Sequence, residues 1–413
     1  MLTRWRLTTR VAFRFCFIFF GLYSLEEVFG GVAFSQPVRS LVSWVGAHIF
    51  HIAEPIVVTT SGSGDRLFDY ILAFRLFAIA VLGTTAWSIL DRRRAEYVTL
   101  HKWFRVLLRL TLGMVMISYG MIKVIPVQMP APLLQKLIEP LGSLSPMGIL
   151  WSSIGASPAY ERFAGAAELL GGVLLFLPWT TTLGALICLA DTTQIFALNM
   201  TYDVPVKLFS FHLLLMSIVL LAPDIPRLTN LLLWNRAAPP STQPPLFRSP
   251  VANWTATMLQ VALAVTLLFT HAESSLARWR EYGGGAPRPP LYGIWTVQSF
   301  IANGGFHMQQ LRDPRQWRRV LFDESSSMVV QQTDDSRISY HAAIDQQNQT
   351  IVLTDPRNTS SRQTWAYSQS TPDTLLLEGA LGDGRQVHAL LKRFEPELLT
   401  RGFHWIQEVP YNR

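Results

Sequence analysis

Long apolar runs alternate with short basic connections over the first two-thirds of the chain. A membrane-spanning helix needs about 20 mostly apolar residues. Runs of this kind occur at residues 12–33, 67–90, 105–126, 162–178, 182–200, 206–223 and 251–272. We therefore predict about seven transmembrane helices. The fourth and fifth should form a tight hairpin, because only Pro178 to Thr182 joins them.

A different pattern follows the Gly/Pro-rich residues 283–290. Short runs rich in β-branched and aromatic residues are separated there by turn-forming residues. These runs are Leu291–Ile301, Trp317–Phe322, Met328–Gln332, Arg337–Ile344, Thr350–Thr354, Thr364–Ser368, Thr374–Glu378 and Arg385–Arg393. Eight short antiparallel strands predict a small closed barrel or a sandwich. The expected fold class is an α-helical integral membrane bundle followed by a soluble all-β domain.

Two further segments complete the predicted organisation. Apolar residues recur at helical spacing in residues 37–54, which predicts an amphipathic helix on the outer membrane surface. Residues 235–250 contain five prolines and predict a cytoplasmic linker. The predicted domains are a six-helix bundle (1–234), the linker (235–250), a seventh helix (251–272), a spacer (273–290) and the β-domain (291–413).

Composition supports a membrane protein and argues against nucleic-acid binding. Only 15% of residues are charged, whereas a soluble chain carries about a quarter. The net charge of +7 comes from Lys and Arg in short loops between apolar runs, as in membrane proteins. Cys16 and Cys188 lie far apart within apolar runs, without a CxxC motif, so we predict neither a disulfide nor a metal site from them.

The distribution of basic residues predicts the orientation. One set of connections contains Arg4, Arg6, Arg10, Arg92, Arg93, Arg94, Lys102, Arg227, Arg236 and Arg248. The alternate set contains only Arg39, Arg66, Lys136, Arg162 and Lys207, spread over longer segments. The positive-inside rule places the N-terminus in the cytoplasm, and seven crossings then place the β-domain outside. Arg14, Glu26 and Glu27 in the first run disfavour a cleaved signal peptide.

Ionisable and polar residues within the predicted spans form the candidate site, because such groups are costly at membrane depth. They are Glu26, Glu27, Arg75, Lys123, Glu168, Asp191, Asn199 and His212. Counting inward at about 1.5 Å per residue places all of them in the outer half of the bilayer. One interpretation is a polar cavity open to the outside, suited to proton transfer or to binding a polar headgroup. The other is a compensated network in which Arg75 and Lys123 neutralise the carboxylates.

Two motifs resemble those of the DoxX-like bacterial membrane proteins. Tyr119-Gly120-Met121-Ile122-Lys123 resembles the family's YGxxK motif, and Glu168-Leu169-Leu170-Gly171-Gly172 resembles its ExxGG motif. The likeness extends over roughly residues 65–235 and implies a multi-pass protein of the bacterial inner membrane. Some members are linked to quinone-reducing oxidoreductase complexes. Lys123 and Glu168 match the family's polar positions.

The β-domain resembles a lipocalin-type barrel in one motif. Gly293-Ile294-Trp295 on the first strand resembles the G–x–W of those barrels, and Arg393 near the last strand is placed to pack over the Trp ring. Barrels of this size either hold one apolar ligand or are filled by side chains. The closing segment, residues 402–408, is expected to add a final strand.

These features predict a quinone- or lipid-binding accessory subunit of a membrane redox complex. Its candidate ligand-binding residues are Lys123, Glu168, Asp191, His212, Asn199, Arg75 and Tyr119. The sequence has no flavin or haem motif, so a quinone or a partner subunit would have to carry electrons, and we expect no independent enzymatic activity. One alternative is a protein that transfers an apolar small molecule through the β-domain, and another is a structural or assembly role. His48 and His51 lack a nearby Cys or carboxylate, so no metal is predicted.

Overall fold

The computed structural model describes residues 5–29, 35–56, 58, 62–241, 243–302, 316–381 and 384–412. Contacts divide the chain into two compact units. The first contains Met1–Gln128 and Ala159–Ala277, and the second contains Met129–Pro158 and Arg278–Arg413. The sequence analysis groups residues 129–158 with the helical bundle, whereas in the structure they belong to the unit that contains the β-domain.

Helices make up the first unit. Among the described residues of both units, the α-helices in chain order are α1 (Leu7–Phe29), α2 (Gln36–His48), α3 (Leu67–Leu90), α4 (Val98–Val124), α5 (Leu134–Leu137), α6 (Pro146–Gly155), α7 (Pro158–Phe176), α8 (Thr181–Thr201), α9 (Lys207–Leu221), α10 (Ile225–Leu232), α11 (Pro250–Glu281) and α12 (Glu397–Thr400). A helix therefore occupies the position of each predicted span. The turn between α7 and α8 confirms the predicted hairpin.

Five helical segments among the described residues are long and apolar enough to cross a membrane. They are Leu67–Leu90, Val98–Val124, Pro178–Thr201, Lys207–Leu232 and Pro250–Glu281. The helices α1 and α7 are not among them, and both contain charged residues that lower the hydropathy of the segment. The structure therefore confirms several apolar helices in this unit, but it does not establish seven spans.

Helix α1 runs antiparallel to α3 along most of its length. Near one end, Arg14 donates hydrogen bonds to the hydroxyls of Ser88 (2.8 Å) and Tyr97 (2.6 Å). Near the other end, Arg75 of α3 forms a salt bridge with Glu26 of α1. Arg14 is fully buried, so its hydrogen bonds satisfy a guanidinium that would otherwise be costly inside the bundle.

The second unit contains a closed barrel of eight antiparallel strands. They are β1 (Gly293–Ala302), β2 (Trp317–Phe322), β3 (Ser327–Gln332), β4 (Arg337–Asp345), β5 (Thr350–Asp355), β6 (Asn358–Thr371), β7 (Thr374–Ala380) and β8 (Gln386–Phe394). Each strand pairs with the next, and β8 pairs with β1. The eight predicted strands are confirmed. The largest difference is the length of β6, whose polar ends lack an apolar alternation but pair with β5 and β7.

Aromatic side chains fill much of the barrel interior. Trp295 and Trp365 are each 1% exposed, and the Trp365 ring stacks on Trp317 at 5.1 Å between centroids. The Arg393 guanidinium lies 6.0 Å from the Trp295 ring centroid, which confirms the predicted contact. Because these side chains pack against one another, an apolar molecule would enter this interior only if some of them moved. A bound apolar ligand in the β-domain stays a prediction.

Residues 129–158 cover part of the outer barrel surface. Leu134 is buried with Ile294, Leu321 and Val329, which alternate along their strands with inward-facing residues. The backbone N–H of Leu134 donates to Asp323 Oδ2 at 2.6 Å. Burial raises the pKa of the Asp323 carboxyl, and this N–H group opposes the shift.

The segment after α12 forms no strand among the described residues, so the prediction of a final strand at residues 402–408 is wrong. The physical reason is the pairing of β8 with β1, which leaves no free sheet edge for another strand. Trp405 in this segment is 90% exposed.

Candidate functional site

The two motifs on α4 and α7 face each other at close range. A Cβ atom added to Gly165 would lie 2.5 Å from Lys123 Cβ and 2.7 Å from the carbonyl oxygen of Gly120. A Cβ on Gly120 would lie 2.6 Å from the backbone nitrogen of Leu169. The glycines therefore let the two backbones approach in a way that larger residues would prevent.

This close approach brings Lys123 and Glu168 into contact. Lys123 Nζ donates to Glu168 Oε1 at 2.6 Å and to Oε2 at 2.7 Å. Both side chains are buried, with 9% and 2% exposed. The Lys123 ammonium also lies 5.7 Å from the ring centroid of Tyr119, one turn earlier on α4. The pair is thus a buried ion pair, as the compensated-network interpretation predicts.

Glu168 and Asp191 lie at matching levels of the α7–α8 hairpin. A Cβ on Gly171 would approach Cys188 Sγ to 2.9 Å, so these two positions are opposite each other. Glu168 is three residues before Gly171 and Asp191 is three residues after Cys188, which places both carboxylates about one turn from that contact. Asp191 Oδ2 is buried and has no hydrogen-bond partner among the described residues.

Two other candidate residues have mainly structural partners. Arg75 pairs with Glu26, which neutralises a second buried charge. Asn199 donates to Ser210 Oγ at 3.0 Å and thereby links α8 to α9. The structure therefore uses these two residues to join neighbouring helices.

His212 is held between two aromatic rings of α1. Its ring is nearly parallel to Tyr23 at 4.6 Å and to Phe19 at 5.6 Å between centroids. His212 Nδ1 lies 2.8 Å from the carbonyl oxygen of Leu208, to which it can only donate. The neutral imidazole then carries its proton on Nδ1 and presents Nε2 as a hydrogen-bond acceptor.

A cavity of about 500 Å³ adjoins His212. It is lined by Tyr23, Glu26, Glu27, Gly62, Ser63, Gly64, Arg66, Asp69, Leu72, Ala73, Leu76, Tyr119, Val206, Leu208, Phe209 and His212. Of the seven residues predicted for the site, Tyr119 and His212 line this cavity. The Lys123 ammonium contacts the Tyr119 ring, and Glu168 contacts Lys123, but neither charged residue lines the cavity. Arg75, Lys123 and Glu168 form ion pairs instead, and Asp191 and Asn199 belong neither to the cavity wall nor to the ion pairs.

The sequence analysis missed several residues of this cavity. Tyr23 and Arg66 were not selected, and Glu27 was noted only as a carboxylate within the first span. The Tyr23 hydroxyl is buried beside Glu27 but forms no hydrogen bond that meets the usual distance and angle limits. A tyrosine within an aromatic-rich helix gives no sequence signal for this role, because Tyr also packs in ordinary cores.

Asp65 is another residue that the sequence analysis missed, and it lies outside the cavity lining. Its carboxylate accepts from the backbone N–H groups of Lys207 (2.8 Å) and Leu208 (2.9 Å), so it caps the start of α9 from a distant part of the chain. Lys207 also forms a salt bridge with Asp203 at 2.8 Å. Together these contacts fix the first turn of α9, which carries His212 one turn later.

The described residues contain no group of three or more His, Cys, Asp or Glu side chains arranged to hold a metal ion. His48 Nδ1 lies 2.9 Å from the carbonyl oxygen of Trp44, and its ring stacks on the Trp44 indole. Cys16 and Cys188 are both free thiols.

Comparison with known proteins gives a partial match. No family model matches the chain, and no solved structure matches it. A stretch of 76 residues is 38% identical to "Uncharacterized protein YwoB" of Bacillus subtilis (strain 168), which corresponds to 18% of this chain and 49% of that protein. The chain spans about half the length of this curated relative. The resemblances to DoxX-like proteins and lipocalin-type barrels therefore stay predictions.

Proposed function

We propose that the helical unit binds a quinone, or a lipid with a similar polar ring, in the 500 Å³ cavity and supports a redox partner in the membrane. The observation that carries this proposal is the pairing of Tyr23 and His212 at the cavity wall. Their rings stack, and the buried Tyr23 hydroxyl forms no hydrogen bond within the usual distance and angle limits to any described residue. Buried polar groups of this kind need a partner.

The chemistry of the cavity suits a quinone headgroup. A cavity of this volume is typical of small-molecule sites. A quinone carbonyl oxygen would accept a hydrogen bond from the hydroxyl of Tyr23 or Tyr119, and the hydroxyl of the reduced form would donate to His212 Nε2. Leu72, Leu76 and Phe209 provide apolar wall for the ring and chain. The sequence has no CxxC motif or flavin fingerprint, so in this proposal a partner subunit transfers the electrons.

We also propose that the chain crosses the membrane seven times, and contacts within the second unit support this topology. Residues 129–158 and the barrel belong to one compact unit, and Leu134 is buried against the barrel, which supports placing both on the same side of a membrane. The helices α7, α8, α9 and α11 lie between them in the chain. Crossings by α8, α9 and α11 alone would place the two segments on opposite sides, whereas a crossing by α7 as well brings them together.

Helix α1 is proposed to cross the membrane for a related reason. It runs beside α3 from the contact of Arg14 with Ser88 to the salt bridge of Glu26 with Arg75. This antiparallel contact supports a crossing of the membrane by α1 beside α3. With the positive-inside rule, the N-terminus is then cytoplasmic and the barrel extracytoplasmic.

Thermal protection by a short-chain quinone tests the proposed binding. Decylubiquinone at saturating concentration should raise the midpoint of thermal unfolding of the detergent-purified protein by about 5 °C. The double variant Tyr23→Phe/Tyr119→Phe removes the two hydroxyl groups and should weaken the apparent affinity about tenfold. Tyr70→Phe is the matched control, because Tyr70 is exposed on α3 and does not line the cavity.

The proposal fails if decylubiquinone gives no protection to the unmodified protein. It also fails if the double variant and the Tyr70→Phe control are protected equally, because binding would then be independent of the cavity hydroxyls.

A further inference from the structure

A second cavity, of about 780 Å³, lies in the helical unit away from the one described above. Its wall is formed by the start of α4, the turn between α7 and α8, the segment from Asp224 through α10, the residues Ala238, Ser241 and 243–246 of the Pro-rich segment, and the first turns of α11. Two of the basic residues that predict the cytoplasmic side, Lys102 and Arg227, lie on these elements.

Positive charge dominates this second cavity. Its described lining contains four cationic side chains, Lys102, Arg105, Arg109 and Arg227. Asp224 is the single carboxylate among the described lining residues. The wall therefore carries an excess of three positive charges.

Two of these cations are buried and have mainly neutral partners. Arg109 Nε donates to the carbonyl oxygen of Leu175 at 2.9 Å, and its Nη2 donates to Gln260 Oε1 at 2.8 Å. Arg105 Nη1 donates to the carbonyl oxygen of Leu220 at 2.8 Å, while its Nη2 lies 3.8 Å from Asp224 Oδ2. Each arginine is 7% exposed.

Carbonyl and amide oxygens accept hydrogen bonds from a guanidinium, but they are neutral and do not compensate its positive charge. A buried guanidinium with such partners retains a large desolvation cost, which a bound anion would offset. Asp224 can neutralise one cation, and it forms its shorter contact, 2.7 Å, with Arg227. Arg105 and Arg109 therefore lack a full counter-charge among the described residues.

The Pro-rich linker is tied to the same cations. Lys102 Nζ donates to the carbonyl oxygens of Pro245 (2.9 Å) and Leu246 (2.8 Å). Arg227 Nε donates to the carbonyl oxygen of Pro239 at 2.9 Å. These hydrogen bonds fix the described part of the linker in place as one wall of the cavity.

Exposed apolar side chains occur in the same lining. Trp179, Leu183 and Leu231 are 67%, 53% and 56% exposed. An apolar surface next to a basic cavity suits a ligand with an anionic head and an acyl chain. Basic pockets between membrane helices on the cytoplasmic side bind phospholipid headgroups by this arrangement.

We propose that this cavity binds a phosphate anion, carried by the headgroup of an anionic phospholipid. Arg105 and Arg109 supply planar donors that match phosphate oxygens, and Lys102 and Arg227 add positive charge where the linker forms the wall. The site is separate from the quinone cavity, so its occupancy does not depend on the proposed function.

Lipid titration of the full-length protein in detergent tests this site. Phosphatidylglycerol should raise the thermal unfolding midpoint by about 5 °C, whereas zwitterionic phosphatidylcholine should not. The variant Lys102→Gln/Arg227→Gln removes two charges and should weaken phosphatidylglycerol binding at least about tenfold. The control Arg92→Gln/Arg93→Gln removes two exposed charges outside the cavity and should bind as the unmodified protein does.

Inorganic phosphate distinguishes the source of the anion. If phosphate alone protects as well as phosphatidylglycerol and shows the same variant dependence, the site binds a soluble phosphate compound, and the anion site stands. If phosphatidylglycerol protects and phosphate does not, the lipid is the source. Protection by neither, or equal protection of the Lys102→Gln/Arg227→Gln variant, overturns the proposal.

A measurement on the unmodified protein covers the case in which the double variant does not fold. Raising the salt from about 50 to about 500 mM should weaken phosphatidylglycerol binding severalfold, because salt screens the attraction between the basic wall and the headgroup. Binding that is unchanged by salt would contradict a site built from these cations.

Discussion

The Lys123–Glu168 ion pair shows how single residues determine the chemistry of the helical unit. Two charges that would be costly alone neutralise each other at 2.6 Å, and Arg75 with Glu26 does the same on α3 and α1. What remains without a partner among the described residues includes Asp191 Oδ2 and the Tyr23 hydroxyl. Of the two residues, Tyr23 lines the 500 Å³ cavity, so its hydroxyl is available to a molecule bound there.

Breaking the Lys123–Glu168 pair should destabilise the protein more than replacing both residues. Glu168→Leu leaves a buried ammonium without its carboxylate and should cost about 3–5 kcal/mol of stability. Lys123→Met/Glu168→Leu removes both charges and should recover most of that loss. Thermal unfolding of Glu168→Leu, Lys123→Met and the double variant in the same detergent measures the coupling energy between the two side chains. Additive losses would show that the pair contributes little.

At the scale of elements, close packing of α4 on α7 positions this pair. Gly120 and Gly165 bring the helices together, and Gly172 packs against Gly113 farther along, where an added Cβ would lie 3.0 Å from the Gly113 carbonyl oxygen. Gly171 of the ExxGG motif instead approaches Cys188 of α8. The polar residue of each motif is three residues from a glycine that makes a close contact.

Gly165→Ala should therefore separate α4 from α7. The new Cβ would meet Lys123 Cβ and two backbone atoms that cannot move independently of their helix, so we expect a loss of about 3 kcal/mol or more. Gly21→Ala on α1 is the matched control, since an added Cβ there meets no atom within 4 Å. The control should be neutral or stabilise its helix by up to about 1 kcal/mol. Hydrogen exchange of α4 and α7 measures both effects, and equal protection in the two variants would refute the packing role.

The elements themselves were largely predictable from the sequence, for a physical reason. Apolar periodicity is a local property, so it located the α7–α8 hairpin and each strand of the barrel, and the G–x–W motif placed Arg393 over Trp295. Contacts between distant segments leave no such local signal. The cap that Asp65 provides to α9 and the burial of Leu134 against the barrel both belong to this class.

The candidate site was predictable only in part for the same reason. Depth along a helix identified His212 and the carboxylates, since charges in apolar runs are conspicuous. Depth does not show which way a side chain faces, so it did not separate the ion-paired Lys123 from the cavity-lining Tyr119. Tyr23 was missed because a tyrosine among phenylalanines looks like core.

For the whole molecule, the account requires that residues 129–158 and the barrel lie on the same side of the membrane. Single cysteines at the exposed positions Ser143 and Asn348, in a background without Cys16 and Cys188, should both react with a membrane-impermeant maleimide applied to intact cells. A cysteine at the exposed position Arg93 should react only after lysis. Labelling of position 143 but not 348 from outside would contradict an even number of crossings between them.

Native mass spectrometry of the gently extracted protein measures directly whether the helical unit binds a quinone in the cavity beside Tyr23 and His212. We expect a co-purified quinone or isoprenoid on the unmodified protein and on Tyr70→Phe, with occupancy reduced about tenfold in Tyr23→Phe/Tyr119→Phe. A protein that carries no such molecule, even after incubation with added quinone, would refute quinone binding, and equal occupancy in all three proteins would refute binding through the cavity hydroxyls.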